Sequence, residues 1–229
     1  MFGKVSVGEI CRRIAVYCFG LFLMALGVSF SAIADLGMSP VNSIPYVLSE
    51  IFTNLSMGKW VIIIFSIYII IQFLILGKNV QPQRVLQLLC TALFGYFTDF
   101  TNFCVGKLLP NPLLMDISPV AIYFIRLGYL IVSMMLIALG ILFYLTPNLI
   151  SLPGEGIMQV IAEKAKIKLH IVKVMFDITV SIVALIISVV YFKQFHGIRE
   201  GTVIAALGVG KILGFYEPIR YKVKNFVFD

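Results

Sequence analysis

Charge is the first thing this sequence lacks. Asp, Glu, Lys and Arg make up 13% of its 229 residues, against about a quarter in soluble domains. Too little charge is present to cover a water-facing surface of that size. Cysteine is also scarce: Cys11, Cys18, Cys90 and Cys104 form no CxxC pair. Three of the four stand in apolar runs, which argues against a disulfide frame and for small apolar packing. His170 and His196 stand alone, so no zinc constellation is available. No HExxH, haem or catalytic-triad pattern occurs, and GVGKI (208–212) is not a phosphate loop. Ala205 holds the first glycine position of that motif and Ile212 follows the lysine. The reading is therefore no enzyme, no catalytic residue, no metal and no cofactor.

Hydrocarbon is abundant. Apolar residues make up 60% of the chain and the mean hydropathy is +1.02. A helix needs about 20 apolar residues to cross a bilayer core. Six stretches meet or approach that: 14–34, 60–76, 85–106, 120–145, 172–192 and 201–216. Ala32-Ile33-Ala34 resembles a signal cleavage site, but the apolar run before it is longer than the roughly 7–15 residues of a signal core. The expectation is an all-α, polytopic protein whose surroundings are the lipid bilayer.

The net charge of +7 raises nucleic acid as a partner. The positions argue otherwise, because Lys and Arg gather at span ends. With a cytoplasmic N-terminus, twelve fall at the inner side, among them Lys4, Arg12, Arg13, Lys78 and Arg84. Five fall outside: Lys59, Lys107, Arg126, Lys193 and Arg199. That bias predicts both termini in the cytoplasm of a bacterial inner membrane.

Two segments are too short to cross. PVNSIPYVLSEIFT (40–53) and PGEGIMQVIAEKAKIK (153–168) carry apolar residues at helical spacing. Each starts with a proline suited to a helix's first turn. They also correspond. Shifted by 113 positions, residues 13–50 match 126–163 at 11 of 38 places, including Arg13/Arg126, Gly27/Gly140, Pro40/Pro153 and Glu50/Glu163. Chance gives roughly three or four for such compositions. A shift of 115 pairs Arg84 with Arg199 and Gly95 with Gly210.

Each repeat then holds three crossings, and an odd number turns the second copy upside down. The expected organisation is a cytoplasmic N-terminus (1–12), a first repeat (13–108), an inverted second repeat (119–218) and a cytoplasmic tail (219–229). Inverted three-span repeats are a transporter architecture. Two such copies would bring the breaks SPVNS (39–43) and PGEGI (153–157) together near mid-membrane, offering backbone N–H groups and positive dipole ends. The alternative is that both short helices lie flat at opposite membrane surfaces. The nominated substrate contacts are Ser39, Asn42, Ser43, Gly154, Glu155 and Gly156 at the breaks. The ionisable Asp99, Asp177 and Lys211 inside spans join them; the competing reading is structural pairing, for instance Asp177 with Lys173.

At LGMSPVNSIPYVLS, FGYFTDF, PGEGIMQVIAEK, VKVMFD and GIREGTVIAALGVGKILGF, the chain resembles the YczE/YyaS/YitT-type bacterial membrane proteins. Leu152 stands where serine is common before Pro153, and His170-Ile171 where Gly-Lys is expected. The resemblance implies an inner-membrane protein of five or six spans and carries over no catalytic residues. It extends distantly to the substrate-binding membrane subunits of vitamin uptake systems. Three functions follow. The first is a transporter or exporter of a small polar or anionic metabolite. The second is a substrate-capturing subunit docked on an ATP-driven partner, or acting as a homo-oligomer. The third is a non-transporting scaffold with a dry interior, in which Asp99 pairs with Lys211.

Overall fold

A computed structural model of the chain describes residues 7–77, 82–193 and 197–228. Lys4, Lys78 and His196 lie outside them. Among the described residues every regular element is helical. The long helices are α1 (Val7–Ala34), α3 (Met57–Leu76), α4 (Gln87–Leu108), α5 (Pro119–Leu145) and α7 (Leu169–Phe192). Two short Pro-led helices, α2 (Pro40–Ile51) and α6 (Pro153–Ala165), interrupt them. The chain closes with α8 (Glu200–Phe215) and α9 (Glu217–Phe228). Five helices are long and apolar enough to cross a membrane; α8 qualifies only together with α9, from which it is bent by 65°. At 1.5 Å per residue the 16 residues of α8 reach about 24 Å, short of a hydrocarbon core of about 30 Å. The final helix occupies a stretch expected as a plain tail. It folds back on the start of α1, with Arg12 and Arg13 over the rings of Phe226 and Phe228.

The crossing helices alternate in direction. Along α1 and α5, Gly20 meets Tyr144, Gly27 meets Ile137, and Ala34 meets Arg126, so the pair is antiparallel. Ser29 bonds Thr101 at 2.8 Å and Phe22 packs on Phe97, so α4 runs with α1. Gly58 abuts Gly95 and Asp99, so α3 runs against α4. Gly201 N donates to Leu36 O and Gly208 faces Met134, so α8 runs with α5. One end of the bundle therefore gathers the start of α1 and α7 and the finish of α5 and α8. The other gathers Ala34, Arg126 and Arg199.

The α1–α5 crossing is close because small residues allow it. A Cβ on Gly20 would lie 2.3 Å from Tyr144 N, and one on Gly140 would lie 2.7 Å from Gly20 O. In lipid, such backbone approach supplies the packing that a hydrophobic drive cannot.

Both short helices are launched the same way. After α1, Asp35 takes a left-handed φ of 47°; after α5, Asn148 takes 50°. Asp and Asn tolerate that conformation. Extended Ser39 (φ −59°, ψ 144°) and Leu152 (φ −61°, ψ 151°) then lead into Pro40 and Pro153. The chain neighbours of α2 lie at one end of the bundle and those of α6 at the other. Their N-termini nevertheless meet inside, where a Cβ on Gly154 would lie 2.9 Å from Val41 Cγ1. The surface-helix alternative therefore does not describe their N-terminal halves. Lys166, left-handed at φ 55°, ends α6 earlier than the periodicity suggests.

Gly20→Val should lower the melting temperature of the detergent-solubilised protein sharply, because overpacking against backbone costs about 1–3 kcal/mol or more. Gly128→Val, at a site with no atom within 4 Å of a new Cβ, should leave it nearly unchanged.

Candidate functional site

A cavity of about 390 Å³ lies where the two short helices meet. Ser39, Val41 and Asn42 reach it from α2 and its N-cap, Gly154, Glu155 and Gln159 from α6, and Lys173 and Asp177 from α7. Most of the remaining wall is apolar, including Phe65, Phe94, Ile137 and Ile141. Leu145, Leu169 and Leu213 also line it, so the cavity extends toward the end that holds the start of α1. A smaller cavity of about 280 Å³, with Ala32, Tyr46, Glu50, Asn102 and Gly106 in its wall, lies toward the opposite end.

Four of the five nominated polar or charged positions at this junction face one another through the cavity: Ser39, Asn42, Glu155 and Asp177, with Gly154 beside them. The fifth, Ser43, donates to Pro40 O at 2.6 Å and does not line it. Gly156 is packed instead against the buried amides of Gln72 and Gln87.

Asp99 sits elsewhere. It accepts from Ser56 Oγ at 2.6 Å and Gly58 N at 2.7 Å, so it caps the start of α3 from α4, where helical N–H groups lack partners. Lys211 is exposed and lies outside the cavity wall. The pairing of Asp99 with Lys211 expected of a dry scaffold is absent among the described residues. Asp177 does meet Lys173, at 2.8 Å.

Inside the cavity, acceptors outnumber donors. The Asn42 amide nitrogen donates to Ser39 Oγ at 3.1 Å, leaving Oδ1 buried without a partner. Asp177 spends Oδ2 on Lys173, and its Oδ1 is also unpartnered. The helix starts offer fewer donors than the sequence suggests. Pro40 and Pro153 have no N–H, Asn42 N turns back to Ser39 O, and Glu155 N and Gly156 N turn back to Leu152 O. Among the described residues no group of three His, Cys, Asp or Glu side chains is placed to hold a metal.

The far end carries a cluster that the sequence reading passed over. Arg126, 8% exposed, donates Nε to Ala34 O at 2.7 Å and Nη2 to Asp35 Oδ2 at 2.8 Å, and also reaches Asp35 O. A cation there satisfies the last carbonyls of α1. Arg199 reaches Asp35 O at 3.2 Å from the α8 side. Gly37, at φ 112°, lets the loop lie against Arg199 N and Thr202 Oγ1. Met38 N donates to Gly197 O at 3.0 Å. GIREGT (197–202) thus clamps the loop that launches α2. At the near end, Arg84 donates to Gln72 Oε1 at 2.9 Å, and Gln72 Nε2 donates to Pro153 O at 3.2 Å, which steadies the α6 launch. An arginine inside the apolar stretch 120–145, with Asp35 just past the stretch 14–34, was the available signal for the clamp.

With this geometry established, the comparisons place the chain. Residues 11–218 match the model of a family described as a family of unknown function, DUF6198. The chain belongs to that family. It is 29% identical over 219 residues to the uncharacterized membrane protein YczE of Bacillus subtilis, covering 95% of this chain and 91% of the relative. It is 22% identical to an uncharacterized protein of Haemophilus influenzae, with 95% and 89% coverage. No solved structure matches. A multi-pass membrane location follows from the YczE relationship and the apolar helices.

Arg126→Met should destabilise the protein by about 3 kcal/mol, because it strands Ala34 O and leaves Asp35 with the longer contacts to Arg199; thermal melting compared with Arg199→Met, which should cost less, reads this.

Proposed function

We propose that the protein is a membrane transporter or exporter of a small molecule, working by alternating access between two inverted repeats. The observation that carries this reading is the meeting of two proline-headed helix starts at a cavity within an apolar bundle. Irregular backbone at membrane depth is tolerated where it is buried in protein or lines a wet cavity.

The inverted repeat has support in specific contacts. Shifting by 113 sends Gly20, Met24 and Gly27 to Ser133, Ile137 and Gly140. The contact of Gly27 with Ser133 then maps onto that of Gly140 with Gly20, and Gly27 with Ile137 onto Gly140 with Met24; all four occur. Helix α2 packs on α7 while α6 packs on α3, an exchange between halves that a two-fold axis would give. The two cavities are related as well, since Ala32 and Tyr46 of the smaller fall on Leu145 and Gln159 of the larger.

The symmetry is broken in one place, and that break suits a transporter caught in one of its two states. The α3–α4 seam is tight and pinned by Asp99. In the second half Gly214 falls at the position of Asp99, and α7 and α8 form the two banks of the larger cavity. Access from one end is open and the opposite end is clamped by Arg126, Asp35 and Arg199. In the exchanged state the clamp opens and the α7–α8 seam closes.

The test is labelling of single cysteines at Ser39, Asn42 and Glu155, in a background without the native four, by a membrane-impermeant thiol reagent. Labelling from the cytoplasmic side in one condition and from the opposite side in another supports transport. Exposure to one side under all conditions contradicts it.

A further inference from the structure

We infer that the larger cavity takes an amphipathic organic cation, with a primary or secondary ammonium head against Asn42, Glu155 and Asp177 and an apolar body along Phe65, Phe94 and Ile141. The inference rests on the reading of this cavity as the transport site and takes the place of the small polar or anionic metabolite expected from the sequence.

The hydrogen-bond balance points to a donor. Asn42, 7% exposed, and Asp177 each present a buried oxygen with no partner, and both residues line the cavity. The Glu155 side chain makes no hydrogen bond to a described residue. An unsatisfied buried acceptor is costly, and a ligand N–H recovers that cost. A ligand made only of acceptors leaves every one of these atoms unpaired.

The charge balance agrees. Lys173 is held by Asp177 at 2.8 Å, so that pair sums to zero. Glu155 then sets the net charge of the pocket at minus one when ionised and zero when protonated. In neither form does an anion meet excess positive charge. The helix starts restore little of it, because the prolines lack N–H groups and Asn42 N, Glu155 N and Gly156 N fold back onto Ser39 O and Leu152 O, so that Val41 N and Gly154 N, which carry no formal charge, are what remain. An ammonium fits the same place, where charge-assisted hydrogen bonds form with carboxylates.

The walls set the rest of the molecule. Phe65 and Phe94 stack with centroids 6.1 Å apart, and their ring faces attract a nearby cation while packing an apolar chain. Space is available around Gly210, where no atom lies within 4 Å of a new Cβ. That residue borders the cavity on α8 opposite Lys173 and Asp177 on α7. An apolar tail has an outlet there toward the lipid-facing sides of both helices.

The experiment compares three probes with one tail and different heads: n-octylammonium, n-octanol and n-octanoate. Each is titrated at about pH 8 into the full chain in phosphatidylcholine nanodiscs, with binding read by calorimetry and by thermal shift, against empty discs. Octylammonium should bind tighter than either control by roughly tenfold or more. Glu155→Gln should weaken octylammonium by about tenfold and octanol much less, because the new amide still accepts from a hydroxyl, which also reports that the cavity is intact; Asn42→Leu should weaken both of these donor-headed probes. Octanoate binding as tightly as octylammonium, or Glu155→Gln retaining full affinity, overturns the assignment. Alternating cysteine labelling without head-group preference removes the cation and keeps transport. Head-group preference without alternation keeps the cation site and removes transport.

Discussion

Everything in this structure depends on how an apolar bundle accommodates two breaks in its own backbone. Peptide groups cannot be left bare in hydrocarbon. The chain answers with proline at the first helical position, which deletes a donor, and with N–H groups that turn back onto the preceding carbonyls at Ser39 and Leu152. Neighbouring chain supplies the rest. Gln72 reaches Pro153 O, and Arg126 and Arg199 take the carbonyls around Asp35. The junction is polar enough to hold a small molecule because its satisfaction is local and incomplete. The unpartnered oxygens of Asn42 and Asp177 are what remains.

On the proposed inverted-repeat reading, the two ends of the bundle are related parts in different states of closure. Arginines placed by corresponding loops, Arg84 and Arg199, steady the launches of α6 and α2, one through a glutamine and the other through an aspartate backbone. The seam between α3 and α4 is closed by glycine contact and by a carboxylate that caps a helix from its neighbour. Its counterpart has glycine where that carboxylate stands. Asp99 therefore gains its meaning from the seam and not from the cavity. Under the transport proposal, such a difference between the halves holds one state at a time, since an interface that can pack in two ways is bistable.

Much of the helical layout was legible in the sequence, because apolar run length and proline position are local signals. The short helices begin at Pro40 and Pro153 as read, and the helices match the expected spans to within a few residues, except that α1 starts seven positions earlier, where the Glu9–Arg13 pair and α9 support it, and that α8 alone is too short to cross. The final helix was missed because its sequence is too polar for a span and its support comes from aromatic contacts with Arg12 and Arg13. Of the site, Ser39, Asn42, Gly154, Glu155 and Asp177 were legible, since the breaks and the intramembrane acid mark them. Asp99 and Lys211 were misplaced for a physical reason. Depth along a span says nothing about which neighbouring helix end a side chain faces. The Asp35–Arg126–Arg199 clamp needs three segments to converge, and no single window of sequence contains that.

The central claim is that the starts of α2 and α6 touch inside the bundle. A Cβ on Gly154 would lie 2.9 Å from Val41 Cγ1, closer than packed atoms sit, so with a small local shift a cysteine at each position should place two sulfurs within bonding reach. Val41→Cys with Gly154→Cys, in a chain otherwise free of cysteine and held in native membranes, should form an intramolecular disulfide on addition of a membrane-permeant oxidant. A pair that stays reduced, with both thiols open to water-soluble reagents from opposite sides, would contradict the account.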